Sequence, residues 1–191
     1  MIFERGHFNS DKIEKSIINE SYRSIKTFSA SSAYDTRPTV FLSHKHSDLE
    51  DLQGVMGLLE GLGAKIYIDS MDKKMPEETS GETAKRIKDV IKYCKKFVLL
   101  ATDDAIESYW CNWELGIGDT HRFKDHIALL PMKDIGEYNY KYKGNEYLQI
   151  YPQITYYEAF TNRNGHYFES GYYISNPFDN YITKLGVWLK Q

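Results

Sequence analysis

Residues 96–118 read KFVLLATDDAIESYWCNWELGIG. Lys96–Thr102 is the most hydrophobic of the strand-like runs and has the length and composition of a fully buried strand. Ser108 stands where an N-cap is needed, its hydroxyl able to accept from an orphan N–H of a first helical turn, so a helix is predicted from Tyr109. Trp110 and Glu114 are four residues apart and project from one face of that helix. A carboxylate beside a large aromatic, early in a helix that follows a buried strand, has the makings of a pocket floor; the plainer alternative is an exposed glutamate among core tryptophans. Gly116 and Gly118 lie inside the same helix, where each costs about 1 kcal/mol relative to alanine. That cost predicts a close approach to this stretch of backbone.

Working outward, the pattern repeats. Thr39–Ser43 (TVFLS) reads as a first buried strand. A helix follows HKHSDLED, with Ser47 and Glu50 in capping-box register and Leu49, Leu52, Val55, Met56, Leu59 and Leu62 along one side. Gly57, Gly61 and Gly63 suit close packing and helix termination, since they lack the strand–glycine loop–helix order of a phosphate site. Lys65–Asp69 (KIYID) is a second strand, and Ser70–Gly81 a polar loop long for its place. A helix over Gly81–Cys94 precedes the Lys96–Thr102 strand, and His126–Met132 forms a fourth. Strands alternating with helices predict a parallel sheet covered on both faces by right-handed crossovers. Ligands of such sheets bind at the carboxyl ends of the strands, near the switch point of strand order. Ser43, His44, Asp69, Ser70, Thr102 and the helix bearing Glu114 converge there.

The flanks differ. Residues 11–27 carry Ile13, Ile17, Ile18, Tyr22 and Ile25 at helical spacing, and 28–38 read as a Ser-rich linker. Residues 133–175 hold ten tyrosines, with turns at GNEY and NRNGHY and a fifth strand expected near Ile154–Phe160. Asn176 and Pro177 suggest the start of a last helix burying Tyr181, Ile182, Leu185, Trp188 and Leu189.

The 191 residues suffice for one sizeable core, and the formal charge of −3 comes without a basic stripe, which argues against nucleic acid as partner. No run approaches a membrane span, and residues 1–9 do not read as a signal peptide, so a cytoplasmic setting is expected. Cys94 and Cys111 have no metal-type spacing and are expected as reduced, packed thiols.

VFLSH at a first strand, YID at a second, a polar loop, FVLLAT at a third and then S-x-W-C-x-W-E-L-G together resemble a TIR domain. More narrowly, they are similar to the bacterial group that includes the sensor subunit of Thoeris antiphage systems. The resemblance covers roughly Pro38–Met132. It implies a flavodoxin-like α/β fold for residues 38–160; the N-terminal helix and linker over 1–37 and the C-terminal extension and helix over 161–191, packed on the same domain, are read from the residues alone. It also implies cleavage of NAD at the nicotinamide–ribose bond, with a linear or cyclic ADP-ribose-derived product signalling to a downstream effector. NAD is then the substrate, and no cofactor is expected. The family's catalytic glutamate lies in a W-x-x-x-E element, here Trp110 and Glu114. Self-association on activation is implied, with the Ser70–Gly81 loop as a contact element, and a phage protein is a candidate trigger.

The chemistry can be argued from the substrate. Nicotinamide leaves a cationic pyridinium as a neutral molecule and needs no proton, unlike the alcohol released by ordinary glycosidases. One carboxylate, Glu114, can bind the ribose hydroxyls and stabilise the oxocarbenium-like charge. Trp110 is a candidate platform for nicotinamide, and Ser43, His44 and Asp69 are candidate substrate contacts. Lys73 and Lys74 could meet pyrophosphate or simply be solvated, and Glu82 suits a cap. His44, His46 and Asp48 lack a closed ligand shell, so no metal is expected. The rivals are a TIR scaffold without catalysis and, less close, a nucleoside deoxyribosyltransferase-like enzyme. The tyrosine-rich tail either packs on the sheet edge or presents a surface for a trigger.

Overall fold

Each apolar run of the sequence becomes a strand of one mixed sheet, and the computed structural model describes residues 2–8, 35–72, 80–121, 124–137, 145–163, 165–178 and 181–191. In chain order these carry β1 (Phe3–Glu4), β2 (Thr39–Ser43), α1 (Leu49–Gly61), β3 (Lys65–Tyr67), α2 (Gly81–Tyr93), β4 (Lys96–Ala101), α3 (Asp103–Glu107), α4 (Tyr109–His121), β5 (Ile127–Lys133), β6 (Gln153–Tyr157), β7 (Phe160–Thr161), β8 (Tyr167–Phe168), β9 (Gly171–Ser175), β10 (Ile182–Lys184) and α5 (Leu185–Lys190). The predicted helix over 11–27, and Lys73, Lys74 and Thr79 of the long loop, lie outside the described residues.

The main sheet has the order β10–β9–β6–β5–β4–β2–β3. Pairs from β3 across to β6 are parallel, while β6, β9 and β10 continue antiparallel. Strand order reverses at β2, which lies between β3 and β4. The chain therefore puts α1 and α2 on opposite faces, as right-handed crossovers require. One core, under α1 and α5, gathers Leu52, Val55, Leu59, Val98, Leu130, Leu185 and Leu189. The other, under α2, α3 and α4, gathers Ile87, Ile91, Phe97, Leu99, Ile106, Cys111 and Leu115. The architecture is the mostly parallel, helix-covered α/β sheet that the sequence predicted.

Three features depart from the sequence reading or add to it. Residues 2–8 contribute β1, which pairs in parallel with Met132 and Lys133 at the end of β5. The segment is stapled to α1: Arg5 reaches Asp48 at 2.8 Å and Asp51 at 3.1 Å, and the Gly6 N–H donates to Asp51 at 2.6 Å. Secondly, the predicted capping box at Ser47 does not form. Residues His46–Asp48 make a 3-10 turn, α1 begins at Leu49, and the Ser47 hydroxyl donates instead to Asp104 at 2.9 Å. Thirdly, no helix starts at Asn176. Its side chain accepts from the Phe178 N–H at 3.1 Å, closing a local turn of the kind asparagine favours. Ile182–Lys184 then pairs with β9, Tyr181 is 72% exposed, and the helix begins only at Leu185.

The described part of the tyrosine-rich segment supplies the strands β6 to β9. Tyr156 on β6 faces Tyr172 on β9, their rings meeting edge-on at 5.2 Å, and Tyr157 meets Tyr173 diagonally, edge-on at 5.8 Å. Tyr173 is buried and donates to the Glu169 carbonyl at 2.7 Å. For these residues packing against the sheet edge accounts for the aromatics. Tyr140 and Tyr142 lie outside the described residues. No helix among the described residues is long and apolar enough to cross a membrane.

Candidate active site

The site is assembled at the carboxyl edge of the sheet from the ends of β2, β3 and β4. Because β2 is buried along its length, its last residue Ser43 and the following His44 are carried into the interior rather than to solvent. β4 ends at Ala101, and the Thr102 hydroxyl caps α3 by accepting from the Ala105 N–H at 3.2 Å. The chain then turns once more, and Ser108 opens α4 as the sequence suggests: its hydroxyl accepts from Cys111 N–H at 3.4 Å and its carbonyl from Asn112 N–H at 3.1 Å. This start fixes which residues of α4 face inward, namely Cys111, Glu114, Leu115 and Gly118. A Cβ at Gly118 would come within 3.2 Å of the Phe97 ring, so here the helix glycine is a close approach to the sheet. Gly116 meets nothing within 4 Å, and the expected approach is absent there.

Glu114 is only 1% exposed, and Ser43 donates to its Oε2 at 2.6 Å across the gap between β2 and α4. Its Oε1 is buried and makes no hydrogen bond. His44 is held by the turn after β3: Ser70 Oγ lies 3.2 Å from Nε2 and Asp69 Oδ1 lies 3.9 Å from Nδ1. The His44 carbonyl accepts from the Cys111 thiol at 3.3 Å, which ties β2 to α4 a second time. Trp110, half-buried one turn before Glu114, packs its ring 5.0 Å from that of Trp113. Ser43, His44, Asp69, Trp110 and Glu114, scattered in sequence, are thus neighbours.

The electrostatics follow from burial. Loss of water pushes the Glu114 carboxyl well above the ordinary range, and the nearby Asp69 carboxylate pushes it the same way; the Ser43 hydroxyl and the Trp110 indole oppose the shift. The resting carboxyl is therefore held toward its neutral form. Burial lowers the His44 pKa, against the pull of Asp69, so the ring is neutral near pH 7. The Cys111 thiol is pushed up to about 11, chiefly by burial, which leaves it a packed, unreactive donor. Buried polar atoms in native proteins are nearly always paired. Glu114 Oε1 and His44 Nδ1 are buried without a hydrogen bond, the Asp69 carboxylate lying 3.9 Å from Nδ1.

Other residues raised by the sequence point elsewhere. His46 is exposed, and Asp48 is fully buried and turned to Arg5 and to the Thr102 hydroxyl at 2.7 Å, so His44, His46 and Asp48 diverge. Among the described residues no cluster of His, Cys, Asp and Glu has the form of a metal site. Glu82 is exposed on the first turn of α2, and the capping box there is made by Ser80 and Thr83. The hold of Ser70 and Cys111 on His44 was not anticipated. Cys111 had a signal, since it sits three residues from both Ser108 and Glu114 and so shares their inner face.

Residues 40–156, which contain all five of these side chains, match the sequence model of the TIR domain. The chain is also 31% identical over 150 residues to the Bacillus cereus (strain MSX-D12) protein named "Probable 3' cyclic ADP-D-ribose synthase ThsB'". That match spans 78% of this chain and 72% of the other. The family match covers more than half of the chain and coincides with the sheet and helices that build the site: the protein belongs to the TIR domain family.

Proposed function

We propose that this TIR protein cleaves NAD between nicotinamide and ribose and converts the ADP-ribose moiety into a signal for antiphage defence, by cyclisation as in the name its Bacillus relative carries. The observation that carries this reading is the buried carboxyl of Glu114, with one oxygen held by Ser43 and the other without a hydrogen bond, on the helix that follows the central strand. The bond from ribose C1′ to the pyridinium nitrogen breaks with its electron pair going to nitrogen, and nicotinamide leaves neutral. The positive charge passes to the ribose, where an ionised Glu114 stabilises it in a site shielded from water. The resting carboxyl is held toward its neutral form, and the cation of the substrate favours its ionisation on binding. A hydroxyl of the same ADP-ribose then attacks C1′ and loses its proton, giving a cyclic product; water at that position gives the linear one.

His44 and Asp69 are assigned to the ribose and Trp110 to the nicotinamide ring. The protein acts in the cytoplasm, with a phage component as trigger, self-association on activation and a nucleotide-binding effector downstream. A second reading, a scaffold that signals by contact alone, draws on the closure of the site, since Glu114 has almost no exposed surface. Incubation with NAD, with and without extract from phage-infected cells, separates the two. Mass spectrometry should find free nicotinamide and a product lighter than ADP-ribose by one water. Intact NAD in both conditions would leave the scaffold.

A further inference from the structure

The turn that holds His44 is itself held from outside the site. Residues Asp69–Met71 form one 3-10 turn after β3, closed by the Asp72 N–H donating to the Asp69 carbonyl at 3.0 Å. Asp72 Oδ2 accepts from the Tyr67 hydroxyl at 2.7 Å and from Arg86 Nε at 2.7 Å, with Arg86 Nη2 at 2.5 Å. Tyr67 is the last residue of β3, 3% exposed, with its ring stacked on Phe41 at 5.5 Å. Arg86 stands on α2, on the far side of the long connection. One carboxylate oxygen thus joins the sheet to the helix at the residue that ends the turn.

On the reading that Glu114 is the catalytic carboxylate, we propose that Arg86 and Tyr67 are positioning residues, which through Asp72 hold the Asp69–Met71 turn against His44 and so fix Asp69 and Ser70 at the site. The charge-assisted fork of Arg86 suits this task. It supplies two donors in a fixed plane, which a lysine cannot reproduce, and it meets a side chain only 10% exposed. Without it, Asp72 keeps only the phenol among these donors, and the turn loses its anchor to α2. Misplacing a catalytic constellation by about 1 Å costs about a hundredfold in rate.

Two measurements test this on the full-length protein as Arg86→Met, Arg86→Lys and Tyr67→Phe. The first is amide hydrogen exchange, which needs no activity. In Arg86→Met the Asp72 amide should lose protection at least tenfold, while Lys65 and Tyr67 within β3 keep theirs. The second is NAD cleavage. In Arg86→Met kcat should fall at least tenfold with KM changed less than threefold, in Tyr67→Phe by less, and Arg86→Lys should recover part of the loss. If exchange at Asp72 is unchanged, or if it rises while an active enzyme keeps its kcat, the positioning role is overturned. If loss of kcat comes with equal loss of protection throughout β3, the clamp is merely structural and the idea fails. A wild-type protein that never cleaves NAD overturns the catalytic reading instead, and the exchange data alone then decide whether the clamp holds the turn.

Discussion

Glu114→Gln should make the protein more stable and nearly inactive, and the stability gain should depend on pH in a calculable way. Glutamine has the shape of the carboxyl and keeps an acceptor for the Ser43 hydroxyl, but it does not titrate. In the wild type the unfolded carboxyl ionises near 4.5, while burial and Asp69 raise the folded value well above that. Below pH 4.5 both states carry the proton, and Glu114 adds no pH dependence. Above it the unfolded chain releases the proton and the folded one keeps it, so folding takes up a proton. Wild-type stability then falls by about 1.4 kcal/mol per pH unit until the folded value is reached. The advantage of the variant should grow at that rate across the same window. Urea unfolding followed by circular dichroism at half-unit steps from pH 5 to 8 reads it. Taking the difference between the two proteins cancels the other titrating groups. A difference constant with pH, or one that shrinks as pH rises, would refute the argument that Glu114 is buried as an acid. Turnover of NAD by the same variant should drop by about two orders of magnitude or more, the scale expected when a charge that stabilises the transition state is removed. Undiminished turnover would remove Glu114 from the catalytic role.

Ser43→Ala removes a donor that favours the ionised form of Glu114, so the acidic limb of the NAD-cleavage profile should move to higher pH; a profile that stays in place or moves down would contradict the hydrogen bond's role. Arg5→Met leaves Asp48 and Asp51 buried without their cation and should cost about 3 kcal/mol, since breaking a buried pair from one side is strongly destabilising. For a chain of this size that is a fall in Tm of about 6–12 °C, and a fall under 2 °C would count against the pair. Gly116→Ala should stabilise by about 0.5–1 kcal/mol, because the site is open and the helix gains. Gly118→Ala should instead destabilise, because the Phe97 ring at 3.2 Å is itself stacked on Phe41 at 5.5 Å and has little room to move. Thermal melts of the two variants that shift in the same direction would show that packing at Gly118 has been misjudged.

The legible parts of this protein were those where one physical signal dominates. The runs TVFLS, KFVLLA and IALLPM are too apolar to be anything but buried, and their alternation with periodic helices fixes a parallel sheet and its functional edge. Glu114 and Trp110 could be placed on one face from spacing alone, and Ser43 and Asp69 at the edge because strands end there. What remained hidden depends on contacts between segments far apart in sequence. Phe3–Glu4 is too short to register as a strand, and only its pairing with β5 makes it one. Asn176 carried a helix-cap signal, but its side chain closes a turn and Ile182–Lys184 pair with β9; tertiary pairing overrode a local preference. Arg86 gave no signal, because its partner Asp72 lies beyond a loop and no spacing rule connects them.

The attachment of residues 2–8 bears on how the protein folds. β1 pairs with the end of β5, so Phe3 finds its partner only once Met132 is in place. Contacts of such long reach are entropically costly before they are rewarded, and they slow folding. The pairing also brings Arg5 to Asp48 and Asp51, whose charges stay uncompensated until it occurs. A nearly folded state with β1 undocked would leave Asp48, beside the Thr102 end of β4, unpaired by Arg5 and the edge of β5 open.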